Sequence, residues 1–267
     1  PYLETYPYEC TEQTLNRFLS TGILSSMYAD YPAVARMAKK LSKRSTQWER
    51  FDGDDPNRKI ALEETPWLQE SRGGGSEMLL KVLDPKVASA QRKSALTKLA
   101  KAQLPSGAFP WFPGGDDSPY MTLYLMQGFA KALEFGVDVP KDISVKAWRY
   151  LNGYINREVN TCMAKKGCGH LPTHLNYLLS MYPDSSWYTG AVSDELRQRM
   201  LAHSFKHWKT HSPYMKAYLA LTLHRMDRSD DAKLVWASVM DSATETDDEG
   251  TFWAPEDRSW LWYNDTI

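Results

Sequence analysis

The sequence lacks several features that would assign a function class directly. Its 32 basic and 33 acidic residues almost cancel, so no charge excess indicates binding to nucleic acid or to an anionic membrane surface. No apolar run approaches the ~18 to 20 residues of a membrane span, and no signal-peptide pattern opens the chain. Binding must come from local chemistry. We expect residues 1–267 to form a single domain, a fragment of a larger multidomain protein.

Alternation of apolar and polar residues, the mark of a half-buried strand, is also scarce. Apolar residues instead recur at helical spacing through most of the chain. Typical stripes are Leu15, Phe18, Leu19 and Ile23, then Met121, Leu125, Gly128, Phe129 and Ala132. Helix-boundary residues fit the same pattern: Ser193 and Asp194 as caps, Pro119 and Pro213 in first turns, and Gly136 at a helix end. The chain is therefore predicted to be all-α.

An internal repeat indicates how the helices are organised. SPYMTLYLM from Ser118 and SPYMKAYLA from Ser212 share six of nine residues and start 94 positions apart. GAFPW from Gly107 and GTFW from Gly250 start 143 positions apart. Two and three repeats of about 47 residues account for these separations, and that length suits a helical hairpin with its loops.

About six such hairpins fill the chain, either stacked as an open solenoid or closed into a ring. Apolar inner helices and Gly/Pro-rich entry loops, such as residues 104–119, favour closure. We therefore predict an α/α toroid, with the solenoid as the alternative and with room for one or two further helices beyond Ile267. The glycine run Gly73–Gly75 interrupts the pattern and is interpreted as a native loop rather than an engineered linker.

The most specific local pattern is CTEQ, in which Cys10 and Gln13 stand three positions apart. In a helical first turn these side chains share a face, about 5 to 6 Å apart at Cβ. A thiolate there can attack the glutamine carboxamide and expel ammonia. The product is an internal thioester, a stored electrophile that is consumed once and does not turn over.

Two other interpretations of Cys10 remain open from spacing alone. The residue can be a packed cysteine at a helix start, with Gln13 an ordinary first-turn residue. A cysteine protease is the second alternative, but its thiol needs an activating histidine. All six histidines lie at position 170 or beyond.

The surrounding residues favour the thioester. The stretch YPYECTEQT, with Thr11 and Glu12 inside the motif, resembles the thioester motif of the alpha-2-macroglobulin and complement family, most closely its bacterial members. The resemblance continues in ALEETPWL (Ala61 to Leu68), QLPSGAFPWFPGG (Gln103 to Gly115) and SPYMTLYL. It implies an α/α toroid in which Cys10 and Gln13 are the bonded pair.

The resemblance also implies a function. A protease cuts a bait segment elsewhere in the parent protein, and the exposed thioester then acylates a lysine amine of that protease. Bacterial relatives are periplasmic and often lipid-anchored, so we expect a parent protein at the inner membrane. The expected partners are target proteases and the parent domains that shield the thioester, without nucleic acid, cofactor or direct membrane insertion. We expect a stoichiometric endopeptidase inhibitor, not an enzyme.

Two further expectations concern the surroundings of the bond. Some complement members carry a histidine nucleophile at the position where Thr122 stands here, and threonine cannot replace it. We therefore predict direct aminolysis and a preference for amines over hydroxyls. Aromatic side chains are the candidates for a water-excluding wall, with Tyr8 and Tyr120 as the expected neighbours of the bond; the full set is Tyr6, Tyr8, Trp111, Phe112 and Tyr120.

The other two cysteines, Cys162 and Cys168, allow three states. A disulfide between them is natural in a periplasmic domain and leaves Cys10 as the odd thiol. The alternatives are two free thiols, or a zinc site with His170 and His174, although that spacing matches no common zinc pattern.

Other constellations are given weaker interpretations. His203, His207 and His211 could line one helix face toward a metal, but neighbouring lysines favour a solvated face. The acidic pairs Glu63/Glu64 and Asp116/Asp117 could serve a glycosidase, but adjacent residues rarely face each other across a substrate. No metal site is predicted. The alternatives to the inhibitor are an α/α-toroid enzyme, either a glycosidase or a metal enzyme, and a non-covalent binding scaffold.

Overall fold

The computed structural model describes residues 9–41, 84–165, 170–248 and 250–253. The chain divides into two compact units, Pro1–Ile143 and Ser144–Ile267. The described residues are largely helical, which confirms the prediction of an all-α fold. The closed toroid and the hairpin count stay predictions. None of the described helices is long and apolar enough to cross a bilayer.

In residues 9–41 and 84–143, the described part of the first unit, the chain forms four helices and the start of a fifth. These are α1 (Thr11–Asp30), α2 (Pro32–Leu41), α3 (Pro85–Ala102), α4 (Pro119–Glu134) and the beginning of α5 (Lys141–Ala164). Helix α1 packs against α3 and α4. The loop that joins α3 to α4 contains the GAFPW sequence, and its Phe109 forms an isolated bridge with Ser118.

Close packing of α1 on α4 fixes the core of the first unit. A Cβ atom on Gly128 would lie 2.6 Å from the Leu15 Cδ2 atom, so only glycine permits this approach. Phe18, one turn beyond Leu15, and Phe129, the residue after Gly128, pack edge to face with ring centroids 6.1 Å apart. The apolar stripe predicted along α4 is buried along its whole length.

Among its described residues, the second unit has the rest of α5, four further helices and two short 3₁₀ turns. The elements are α6 (His170–Ser180), the 3₁₀ turn Ser185–Tyr188, α7 (Asp194–His207), the 3₁₀ turn Trp208–Thr210, α8 (Pro213–Arg225) and α9 (Ser229–Asp241). Helix α8 packs against α6 and α9. The hydrophobic core around α8 includes Leu201, Leu219, Leu223 and Val235.

A two-stranded β-hairpin follows α9. These strands were not predicted from the sequence, because their residues show no apolar alternation. Strand β1 (Thr244–Thr246) pairs antiparallel with β2 (Gly250–Phe252), with Glu245 opposite Thr251. All but one of its side chains are exposed, so the strands carry no buried apolar face to produce the alternating pattern.

The predicted helix boundaries agree with the structure. Ser193 is the N-cap of α7 and accepts a hydrogen bond from the Leu196 N–H, whereas Asp194, also predicted as a cap, is the first residue of the helix. Pro119 and Pro213 are the first residues of α4 and α8. Gly136 follows α4 with a φ of 68°, the left-handed conformation that glycine adopts without strain.

The sequence repeat corresponds to a structural repeat. Ser118 and Ser212 cap α4 and α8, and each hydroxyl oxygen accepts from the backbone N–H three residues on. Gly107 and Gly250, which open the two related G-x-F sequences, both have positive φ angles, 90° and 74°. Equivalent residues therefore set the same local conformation in both units.

Candidate functional site

The CTEQ motif lies where the chain enters α1, and Cys10 is the N-cap of that helix. Its backbone is extended, with φ −81° and ψ 166°. The Cys10 Sγ accepts a hydrogen bond from the Gln13 N–H at 3.4 Å. In return, the Gln13 Oε1 accepts from the Cys10 N–H at 3.2 Å. This reciprocal pair is a capping box in which Cys and Gln replace the usual Ser or Thr and Glu.

The capping box brings the two predicted reactive groups together. Each side chain folds back across the first turn onto the backbone N–H of the other residue. The Cys10 N–H already donates to the carboxamide oxygen. If sulfur attacked the carboxamide carbon, negative charge would develop on this oxygen. The Cys10 N–H would then act as an oxyanion-hole donor.

The Cys10 thiol is free and only 8% exposed. The backbone carbonyl oxygen of Cys10 accepts hydrogen bonds from the Thr14 hydroxyl at 3.0 Å and from the Thr14 N–H at 3.1 Å. Thr11 is buried, and its N–H donates to the carbonyl of Trp111 at 2.9 Å. The start of α1 is therefore tied to the GAFPW loop through backbone atoms.

A charged cluster lies beside this turn. The Glu9 carboxylate pairs with Arg17 and with Lys98, each at 2.6 Å. The hydrogen bond from Lys98, followed by that from Arg17, holds the pKa of Glu9 below its usual range. Since Lys98 belongs to α3, the cluster links the residue before Cys10 to that helix.

The predicted aromatic neighbours are found on the loop and on α4. The Trp111 ring stacks on Tyr120 with centroids 5.7 Å apart and planes 11° apart. Both rings are largely exposed, as is Phe112. The other two predicted wall residues, Tyr6 and Tyr8, lie outside the described residues.

Thr122 is fully buried, and its hydroxyl is engaged in holding the loop. The Thr122 Oγ1 accepts from the Phe109 N–H at 2.9 Å and donates to the Ser118 carbonyl at 2.7 Å. Both partners belong to the loop and the cap that precede α4. Thr122 therefore connects α4 to the loop that precedes it.

Tyr124, one half-turn beyond Thr122, is a site residue that the sequence did not indicate. Its hydroxyl donates to the Asn16 Oδ1 at 3.1 Å, joining α4 to α1. Burial is the main cause of its raised pKa; the Asn16 hydrogen bond opposes the shift, while Glu12, Tyr120 and Cys10 add to it. No local motif could reveal this contact, because the partners are 108 positions apart.

The remaining cysteine and acidic candidates are only partly described. Cys162 is buried and disulfide-bonded. Its predicted partner, Cys168, lies outside the described residues, so that pairing stays a prediction. Asp116 and Asp117 are exposed in the loop before α4. Glu63/Glu64 and Gly73–Gly75 lie outside the described residues.

The histidines do not form the single solvated helix face that their spacing indicated. His203 and His207 lie on α7, but His211 follows the helix and is buried. The His211 Nε2 is 3.0 Å from the Thr173 Oγ1, which in turn contacts the Ser204 hydroxyl. The prediction was wrong for His211 because the 3₁₀ turn Trp208–Thr210 redirects the chain inward. Within the part of the chain that the structure describes, no three His, Cys, Asp or Glu side chains could hold a metal ion.

Comparison with known proteins gives a limited result. No family model matches the sequence, and no curated protein matches it. Two solved structures of Escherichia coli alpha-2-macroglobulin are similar. The crystal structure of the native protein from domain MG7 to the C-terminus has 17% identity and a TM-score of 0.48, over 92% of this chain and 30% of that chain. The cryo-EM reconstruction of the native conformation has 18% identity and a TM-score of 0.46, over 92% of this chain and 12% of that chain.

The chain thus spans less than a third of the length of these solved proteins. Similarity at this level does not establish the family. The function proposed below rests on the geometry around Cys10 and Gln13.

Proposed function

We propose that this chain is the thioester domain of a protease-trapping inhibitor. The observation that carries the proposal is the reciprocal hydrogen bonding of Cys10 and Gln13, each side chain held on the other's backbone N–H. A thiol and a carboxamide held in this way are poised to react with each other. A cysteine that is merely packed in a core needs no such partner.

Bond formation needs no reactant from outside the turn. The Cys10 sulfur attacks the Gln13 side-chain carbon, the C–N bond breaks, and ammonia leaves with the thiol proton. The Cys10 N–H donates to the carboxamide oxygen during this step, which stabilises the tetrahedral intermediate. The product joins the two residues through one S–C bond.

The thioester would then act once on a protease. A lysine amine attacks the acyl carbon, a C–N bond forms, the C–S bond breaks, and the proton lost by nitrogen balances the proton gained by sulfur. The protease is left attached through an amide, and Cys10 is again a thiol. Because the acyl group is consumed, the chain is a stoichiometric inhibitor and not a catalyst.

Direct attack by the amine agrees with the residues near the bond. Residues 1–143 contain no histidine, and the Thr122 hydroxyl is occupied by Phe109 and Ser118. No histidine of residues 1–143 is therefore available to form an acyl intermediate as in some complement members. The parent protein is proposed to be periplasmic and lipid-anchored, with a bait segment and shielding domains elsewhere in its chain.

Intact-mass measurement of the purified chain tests the proposal. A closed thioester lowers the mass by roughly 17 Da, one ammonia, and methylamine then yields a product about 14 Da heavier than the uncyclised chain. The label maps to Gln13, and one new thiol appears at Cys10. The variants C10A and Q13A serve as controls and show neither change.

Other masses distinguish the alternatives. A hydrolysed thioester leaves glutamate at position 13, a gain of about 1 Da that peptide mapping detects. A chain of full mass that never reacts with methylamine contradicts the proposal. That result would leave a non-covalent scaffold or an enzyme of the same fold class.

A further inference from the structure

The environment of Tyr124 indicates how an attacking amine reaches the acyl carbon. This inference rests on the proposed function, since it concerns the second step of the same chemistry. Its basis is the contact between α1 and α4 on the side of the helix that carries Gln13. Gln13 and Asn16 are three residues apart on α1, so their side chains are neighbours on one face, with Cβ atoms about 5 to 6 Å apart.

Asn16 fixes the orientation of the Tyr124 hydroxyl. The phenol proton points to the Asn16 Oδ1 at 3.1 Å. With its proton engaged, the phenol oxygen presents lone pairs, and it can only accept further hydrogen bonds. Burial keeps this phenol neutral by raising its pKa. The group is therefore a fixed neutral acceptor, held by a side chain that lies one helical turn from Gln13.

The charges around this acceptor favour a cationic group. Glu12, four residues before Asn16, shares its face of α1 and lies close enough to raise the Tyr124 pKa. The nearby cations Arg17 and Lys98 are both paired with Glu9. An approaching ammonium group thus meets a carboxylate and two oriented oxygen acceptors.

We propose that Tyr124 and Asn16 position the attacking lysine amine, with the phenol oxygen accepting a hydrogen bond from the amine nitrogen as it reaches the Gln13 acyl carbon. The step needs no further reactant. The arriving ammonium group first releases one proton to solvent and becomes the neutral nucleophile. Its nitrogen then loses one proton as the C–N bond forms, and the Cys10 sulfur gains one as the C–S bond breaks. Glu12 raises the local concentration of the amine by attracting its protonated form.

The test compares Y124F with Y31F in the full 267-residue chain. The first variant removes the acceptor oxygen and keeps the ring, and the second removes the hydroxyl of an exposed tyrosine of the same unit, at the C-terminal end of α1. Both variants should show the thioester mass deficit. The second-order rate constant for methylamine should fall about tenfold in Y124F and stay at the wild-type value in Y31F. Spontaneous hydrolysis should proceed at the same rate in all three proteins, because water does not need the site to orient it.

A second variant tests whether the slower reaction of Y124F comes from lost packing instead of the lost acceptor oxygen. N16A keeps the phenol but frees its proton, so the methylamine rate should fall in the same direction by a smaller factor. Far-ultraviolet circular dichroism verifies that the variants fold. An unchanged methylamine rate in folded Y124F overturns the proposal, and so does an equal slowing of aminolysis and hydrolysis. A folded Y124F chain without the mass deficit also overturns it, because Tyr124 would then act in bond formation.

The two proposals fail in different ways. If the wild-type chain never loses ammonia, the proposed thioester function fails, and the positioning role fails with it. If the wild-type chain reacts with methylamine and Y124F reacts equally fast, only the positioning role is wrong.

Discussion

At the scale of single residues, Cys10 has two separable roles. Its sulfur caps α1 through the Gln13 N–H, and the same atom is the proposed nucleophile. Capping requires only an acceptor atom, which serine supplies at least as well. The chemistry requires sulfur, because an ester of serine would be far less reactive than a thioester.

This separation gives the first prediction. The C10S variant should keep the capping box, so its free energy of unfolding should exceed that of C10A by about 1 kcal/mol. Neither variant should incorporate methylamine. Urea unfolding and intact mass measure the two effects. Methylamine incorporation in C10S would contradict the assignment of sulfur as the reactive atom.

Thr122 gives the second prediction. Replacing it with valine keeps its shape but leaves the buried Phe109 N–H without its acceptor, so T122V should be destabilised by about 1 to 3 kcal/mol. T222V is the matched control. The buried Thr222 hydroxyl bonds only to the Tyr218 carbonyl one turn back in its own helix, so its loss should cost less than about 1 kcal/mol. Equal destabilisation of both variants in urea would show that the loop does not depend on Thr122.

At the scale of elements, the contact between α1 and α4 determines where Tyr124 lies relative to Gln13. It depends on Gly128, which lets Leu15 approach the α4 backbone. Any side chain there would separate the helices or force Leu15 from its rotamer. The distance between Tyr124 and α1 is thus set by a residue without a side chain.

The third prediction compares two glycines within helices. G128A should lower the free energy of unfolding by about 1 to 3 kcal/mol, because the new Cβ would overlap Leu15. G153A should instead be neutral or stabilising by up to about 1 kcal/mol, since a Cβ on Gly153 meets nothing within 4 Å. Thermal unfolding followed by circular dichroism measures both. A G128A variant as stable as G153A would mean that the two helices separate at little cost.

The predictability of these elements differs for physical reasons. Helix starts at Ser193, Pro119 and Pro213 were predictable because capping and proline geometry act within one turn. The Cys10–Gln13 pairing was predictable for the same reason. Tyr124, Asn16 and the Glu9–Lys98 pair were not, because their partners lie 108 and 89 positions apart and only tertiary packing joins them.

At the scale of the whole molecule, the two units share a capping scheme but differ in chemistry. The first unit holds the proposed thioester, and the second holds a buried network of Thr173, Ser204 and His211. Burial, followed by the charges of His170, His207, His203 and Lys216, lowers the pKa of His211 to about 4. Burial also lowers the pKa of His174. Acid should therefore affect the second unit directly.

The fourth prediction follows from the direction of this shift. His211 takes up a proton near pH 6.5 when unfolded but only near pH 4 when folded. Its contribution to stability is therefore complete above pH 6.5 and is lost as the pH falls toward 4. Between pH 7.5 and pH 5 the free energy of unfolding should fall by on the order of 1 to 2 kcal/mol from this group.

Urea unfolding of wild type, H211Q and H224Q at the two pH values measures this contribution. H211Q should lose part of the pH dependence, whereas H224Q, at an exposed histidine of the same unit, should keep it. An identical pH dependence in H211Q and wild type would exclude His211 as its source.

Because Cys10 is the N-cap of α1, the first turn of this helix should differ between a chain with the proposed thioester and a chain in which it has reacted. An acylated sulfur is held at the Gln13 side chain, and aminolysis returns a free thiol to the helix start. Protection of the Gln13 amide against deuterium should differ between these states, because its acceptor is this sulfur. Deuterium exchange at this one backbone N–H would then report, without chemical modification of the protein, what fraction of a sample retains the proposed thioester.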